Sequence, residues 1–166
     1  NKFSMTSVYG MHNMPGVPVG QFGIRAGQMF AAFAPFDIEI IGIGGHGAMP
    51  QNCVDPIVIS SSVILGLQTV VSRNIDPFKP SVISVTKVHA GDAYNVIPDK
   101  VKLSGGVRYF DQESGLIIKR RIEEIVEGIC KTYGASFTLN YDELYPVLSN
   151  HEKENDIAVT AASDLV

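Results

Sequence analysis

The order in which hydrophobic periodicity changes between Phe36 and Tyr141 constrains this chain more than any other feature. Phe36-Asp37-Ile38-Glu39-Ile40 alternates apolar and acidic residues, the period-two mark of a half-buried strand. Asp55-Pro56 then offers a helix N-cap and a proline at the first helical position. From there Ile57, Val63, Ile64, Leu67, Val70 and Val71 fit a helix running to about Arg73. Asn74 to Pro80 breaks it, and Val82 to His89 is β-rich and alternating. In Lys100 to Phe110, Val101, Leu103, Val107 and Tyr109 face one way, and Lys100, Lys102, Ser104 and Arg108 the other. Ser114 to Tyr133 reads as an amphipathic helix with Ile118, Ile122, Ile125, Ile129 and Tyr133 on one stripe and Gly134 as its stop. Phe137, Leu139 and Tyr141 mark a last strand.

The order β-α-β-β-α-β predicts an α+β domain of the ferredoxin-like type, a four-stranded antiparallel sheet with both helices on one face. Outside it, residues 3–9 read as a strand, Gly10 to Gly20 as a Gly/Pro-rich loop, Gln21 to Ala34 as short strands, and Gly42 to Pro50 as a glycine-rich loop. Segments 1–20 and about 150–166 belong to neither layer and read as stubs of a second domain into which this unit is inserted. The chain opens Asn1-Lys2 without an initiator Met and stops at Ala161 to Val166 in what reads as mid-helix, with no cap or glycine stop. It is therefore expected to be a piece of a longer protein.

Composition narrows the function classes. Hydrophobic residues at 45% and charged residues at 18% support a packed core in one domain of 166 residues. A formal charge of −4, with a pI near 5.5, gives no basic footprint for nucleic acid. No apolar run reaches the ~18–20 residues of a membrane span, and no secretory signal is visible. Cys53 and Cys130 are too few and too distant for a disulfide framework or a zinc knuckle, and read as reduced thiols in a cytoplasmic protein.

Four positions could carry chemistry. Gly42 to Gly47 contains G-x-G-x-x-G after a strand, but Pro50 and Pro56 leave no room for a helix, and no acidic residue follows at the spacing a ribose requires. What remains is His46, either free to reach outward from a nearly side-chain-free loop or a surface histidine in a turn. His12 is either a metal ligand at a strand exit or a structural histidine; no HxxEH, HExxH or CxxC accompanies it. Asn95 is either a polar contact or a turn former before Pro98. Arg108, with Gly105 and Gly106 clearing space beside it, is either a bidentate carboxylate clamp or an exposed strand cation. Glu123 and Glu124 lie on the solvated face of a helix, and His89 and His151 have no supporting context.

Taken together, Tyr9-Gly10-Met11-His12-Asn13-Met14-Pro15, Pro18-Val19-Gly20, Gly42-x-Gly44-Gly45-His46-Gly47-Ala48-x-Pro50, Asp55-Pro56, Leu67-Gln68 with Ser72-Arg73, Asn95-Val96-Ile97-Pro98 and Gly106-Val107-Arg108 occur in an order that resembles the metal-dependent amidohydrolases of the aminoacylase and carboxypeptidase type. The branch it is most similar to holds the hippurate hydrolases, N-acyl-amino-acid amidohydrolases and auxin-conjugate hydrolases. The resemblance implies a metal-binding catalytic domain with an inserted ferredoxin-like lid that dimerises. It implies residues 1–33 as a catalytic-domain stub, 34–146 as the lid and 147–166 as the return stub. It implies His12 as a metal ligand, His46 reaching across the dimer to stabilise the oxyanion, Asn95 contacting substrate and Arg108 taking its carboxylate. The cofactors implied are two divalent ions, zinc or manganese, which this chain alone would not hold: the family's His-x-Cys-Gly-His-Asp segment, Glu-Glu pair and C-terminal His are absent from it. Gly106 stands where many relatives carry Thr. The parent is expected to be a cytoplasmic homodimer acting on N-acyl amino acids, with no nucleic-acid or membrane partner. Against it stand a non-catalytic dimerisation module and a small-molecule-sensing ferredoxin-like domain.

Overall fold

A computed structural model describes residues 4–165. The elements are β1 (Gly27–Phe30), β2 (Ala32–Ile41), β3 (Gly45–His46), α1 (Pro56–Asn74), β4 (Ser81–Ala90), β5 (Val96–Ile97), β6 (Lys100–Tyr109), α2 (Gln112–Tyr133), β7 (Ser136–Tyr141), β8 (Leu148–Asn150) and α3 (Glu152–Ser163). The chain divides into two compact units, Ala31–Val147 and a second made of Asn1–Phe30 with Leu148–Val166.

In the larger unit the four-stranded sheet has the order β4-β6-β2-β7, antiparallel throughout, which is the expected α+β ferredoxin-like arrangement. Pairing aligns the apolar alternation of the strands: Ile38 faces Leu103 and Leu139, and Ile40 faces Val101 and Phe137. These side chains meet Ile59, Val63, Leu67 and Val70 of α1 and Ile118, Ile122, Val126 and Cys130 of α2, all buried. α1 starts at Pro56, where the sequence indicates, and α2 starts at Gln112, two residues before the expected Ser114. The Asp55 carboxylate accepts from the amides of Ile57 (2.8 Å) and Val58, and that of Asp111 from Ser114 N–H (3.0 Å), caps worth ~1 kcal/mol each. Gly134 ends α2 in the left-handed region, φ 76°, and Ala135 N–H donates to the Cys130 carbonyl at 2.9 Å.

Several expectations are corrected. Residues 4–9 form no strand, and Phe3, with which that strand was expected to open, lies outside the described residues, as do Asn1 and Lys2. The smaller unit instead pairs β1 with β8, antiparallel. The expected mid-helix ending is not observed: α3 closes at Ser163 and passes into a turn, with Val166 outside the described residues. The deep line of α2 is Ile118, Ile122, Val126 and Cys130. Ile125 and Ile129 flank it, and Tyr133 is half exposed beyond it. By length and hydropathy α1 would pass as a membrane span, contrary to the reading of apolar runs, but here it is a core helix laid on the sheet. Gly66 lets α2 approach α1, since a Cβ there would lie 2.9 Å from Ile125 Cγ2.

The paired glycines of β6 have a different use from clearing space. Gly105 faces the core opposite Phe36, and a Cβ on it would lie 2.3 Å from Phe36 Cζ and 2.3 Å from the Ser84 carbonyl oxygen. Gly106 faces the open side, where a Cβ would lie 2.6 Å from Phe33 Cε2. One aromatic ring lies over each glycine, on opposite faces of the sheet. That explains two glycines inside a strand where glycine is otherwise unfavourable.

Candidate functional site

The glycine-rich loop is zipped to the segment before β6. Gly42 N–H donates to the Asp99 carbonyl (2.8 Å), Gly44 N–H to Asp99 Oδ1 (2.9 Å) and Gly47 N–H to the Asn95 carbonyl (2.8 Å). Gly45 pairs with Ile97 and His46 with Val96. None of these glycines has positive φ. They are glycines because neighbouring groups occupy the space: a Cβ on Gly44 would lie 2.5 Å from the Ile97 carbonyl oxygen, and one on Gly45 2.7 Å from Cys53 Sγ. The nearly side-chain-free loop is thus a packed base for His46, its glycines approached by protein groups. No helix opens at Gly47; the chain turns, with Met49 N–H on the His46 carbonyl at 2.8 Å, into a short 3₁₀ turn at Pro50–Asn52. The dinucleotide reading fails in context, as the prolines indicated.

The loop also sets the state of the imidazole. His46 is exposed, and its Nδ1 accepts the Ala48 backbone N–H at 3.1 Å. An Nδ1 that accepts leaves the ring proton on Nε2, so the outward edge of His46 is an N–H donor. Asn95 stands beside it in the zipped segment, exposed, with no hydrogen-bond partner for its carboxamide among the described residues. The sequence-level candidates His46 and Asn95 are therefore brought together. Asp99, which ties the two segments through backbone and carboxylate, was missed; it reads in sequence only as a turn residue after Pro98.

Arg108 lies elsewhere. It sits at the far end of β6 from Lys100, eight residues or roughly 26 Å along the strand at ~3.3 Å per residue. Its guanidinium lies 4.0 Å from the centroid of Phe33 and 5.8 Å from that of Tyr145, and its Nη1 donates to Tyr145 Oη at 2.7 Å. The other two cations of that face, Lys100 and Lys102, share Glu39, at 2.8 and 3.6 Å. The Lys100 hydrogen bond holds the Glu39 carboxyl below the usual carboxylate range. Arg108 has no carboxylate within ion-pair distance among the described residues. Nearby, Tyr109 is buried and donates to Glu143 Oε1 at 2.7 Å; burial first, then Glu143, pushes that phenol up.

His12 lies in the smaller unit, exposed, 5.8 Å from the Phe30 ring centroid. Its Nδ1–H donates to the Asn13 carbonyl at 2.6 Å, which leaves the Nε2 lone pair as the one able to ligate. Among the described residues no three His, Cys, Asp or Glu side chains are grouped to hold a metal, so His12 has no companions here and the residues present do not make a metal site. Glu124 pairs with Arg120 and Arg121 on the exposed face of α2, in keeping with a solvated role.

Residues 32–134 match the M20 peptidase dimerisation domain. The chain is 38% identical to N-acetylcysteine deacetylase of Bacillus subtilis over 97% of its length and 42% of that protein. It is 36% identical to hippurate hydrolase of Campylobacter jejuni over 99% of its length and 43% of that protein. The fold is similar to the crystal structure of Bacillus subtilis YXEP, described as a dinuclear metal binding peptidase of the M20 family. The TM-score is 0.67 with 32% identity, covering 93% of this chain and 37% of that one. The chain thus spans about two fifths of the length of the curated relatives it matches.

Proposed function

Because the chain belongs to the M20 peptidase dimerisation-domain family, we propose that it is the lid through which a metal-dependent amidohydrolase dimerises and grips N-acyl amino acids. The names of its relatives, deacetylases of acylated amino acids and a hippurate hydrolase, agree with that substrate class. Two divalent ions, zinc or manganese in this reading, would in the parent protein activate a water and polarise the scissile carbonyl. Of their ligands this chain offers His12, and the others belong to segments that relatives carry beyond it. The two free thiols suit a cytoplasmic protein.

The observation that carries the reading is the separation of the candidate groups. The His46–Asn95 cluster lies on the β3-β5 ribbon, which leaves the four-stranded sheet after Ile41 and rejoins it at Lys100. Arg108 stands at the other end of β6, too far for one small substrate to touch both. Strand β4 is an edge with exposed Val82 and Val88, and α1 beside it exposes Ile57, Val58 and Leu65, the last 71% accessible. A two-fold axis beside β4 runs the partner's sheet antiparallel to the first. The His46 end of one copy then lies toward the Arg108 end of the other. A substrate in that composite site has its carboxylate on Arg108 of one lid. Its carbonyl oxygen meets the Nε2–H of His46 from the other lid, and the Asn95 carboxamide lies alongside. The apolar rim of α1 and β4 carries the dimer; Ser60 is buried and Gly66 is used against α2, so neither takes part in it.

The chain by itself should sediment as a dimer at micromolar concentration, and Leu65→Lys with Val82→Lys should make it a monomer without unfolding it. It should hydrolyse no N-acetyl or N-benzoyl amino acid with added zinc or manganese. Joined to the flanking segments that its relatives carry, it should do so and lose the activity to a chelator. A monomeric chain, or a joined protein inert toward every N-acyl amino acid tried, would contradict the reading.

A further inference from the structure

Three side chains on the open face of the sheet form one row. Phe33 pairs with Arg108 across β2 and β6, and on its other side bridges to Tyr145, whose carbonyl accepts from Phe33 N–H at 3.1 Å. The Phe33 ring supports the guanidinium at 4.0 Å and tilts against the Tyr145 ring at 5.9 Å. The Tyr145 hydroxyl accepts from Arg108 Nη1. Tyr145 is itself fixed: Leu144 N–H donates to the Phe33 carbonyl at 2.9 Å, and Glu143 is held by Tyr109. The Phe33 ring can lie where it does only because residue 106 is glycine.

We propose that Arg108 binds the substrate carboxylate as part of a three-residue unit, with Tyr145 and Phe33 as its positioning residues and Gly106 as the residue that admits Phe33. A long arginine side chain loses rotamer freedom on binding, and a side chain already stacked and hydrogen-bonded has less to lose. A guanidinium has five N–H donors, so the bond to Tyr145 leaves the rest for a carboxylate. Tyr145 Oη accepts from Arg108, and its own proton is donated to no described residue. It is available to a second oxygen of the same anion. A side chain at position 106 would occupy the place of the ring, its Cβ 2.6 Å from Phe33 Cε2, so Gly106 and Phe33 act as a coupled pair.

This rests on the reading of Arg108 as the carboxylate residue, and the test separates the two. In the full-length protein, kcat and KM are measured for an N-acetyl amino acid and for its carboxamide, with Arg108→Ala, Tyr145→Phe, Phe33→Leu, Phe33→Tyr and Gly106→Thr. Tyr145→Phe should raise KM for the acid about tenfold, the order of a lost bond to a charged group, with kcat and the carboxamide KM unmoved. Phe33→Leu and Gly106→Thr should raise it less, and Phe33→Tyr, which keeps the ring, should restore it. An Arg108→Ala effect on the acid with none from Tyr145→Phe or Phe33→Leu would overturn the three-residue unit alone. No effect of Arg108→Ala would overturn the carboxylate reading and the unit with it. Equal losses on acid and carboxamide would make Tyr145 merely structural and would also overturn the proposal.

Discussion

In the full-length protein, His46→Ala is expected to lower kcat by about 10²–10³-fold while KM moves little. The imidazole sits on a packed loop, its Nδ1 occupied by the Ala48 amide, so its Nε2–H is aimed outward before substrate arrives. Negative charge grows on the carbonyl oxygen only as the amide is attacked. A donor placed there therefore stabilises the transition state more than the bound substrate. Arg108→Ala should differ in kind, because the substrate carboxylate is present in both states; KM should rise with a smaller change in kcat. Steady-state kinetics of the two variants on one N-acyl amino acid checks the contrast. A His46→Ala protein with a raised KM and an intact kcat would remove His46 from the chemistry.

The largest effect on stability is expected at Gly105. Gly105→Val would place a branched side chain against Phe36, which is 1% exposed, and against the Ser84 backbone carbonyl, neither of which can retreat. Overpacking of this kind costs ~1–3 kcal/mol, and a backbone obstacle puts this site at about 3 kcal/mol or beyond, a large share of a typical ~5–15 kcal/mol. Gly106→Ala should cost less, because the half-buried Phe33 ring can move aside. Gly128→Ala, on an open face of α2 with nothing within 4 Å, should instead stabilise by about 1 kcal/mol through helix propensity. Urea midpoints of the three variants should fall in that order. A Gly105→Val protein as stable as the parent would mean that Phe36 does not pack as described.

These two sites show where the sequence could be read and where it could not. The alternation of Val101, Leu103, Val107 and Tyr109, the Asp55 cap and the Gly134 stop depend on neighbours a few residues away, so strands, helices and sheet class were legible. The Asp111 cap, which starts α2 two residues ahead of the expected Ser114, was not. The rings over Gly105 and Gly106 depend on register between strands some 70 residues apart in sequence, and no local pattern carries that. The same limit hid Tyr145 and Phe33 beside Arg108, and Asp99 beneath the glycine loop. The glycines around His46 signalled close approach, but not that the partner was the segment carrying Asn95. The deep line of α2 runs beside the isoleucine stripe because Val126 and Cys130, less hydrophobic than Ile125 and Ile129, are the ones buried in the core.

The central claim is that His46 and Arg108 serve one site from two copies of the lid, and subunit mixing tests it most directly. His46→Ala and Arg108→Ala proteins are mixed in equal amounts, dissociated and reassociated, then assayed at substrate well below the raised KM. If the site is composite, each mixed dimer holds one site with both residues intact and one lacking both. Random pairing should then restore about a quarter of the unmutated activity. Asn95→Ala should complement Arg108→Ala in the same way and fail to complement His46→Ala. Mixed dimers that form yet show no activity beyond the average of their parents would place His46 and Arg108 in the same subunit's site and contradict the account.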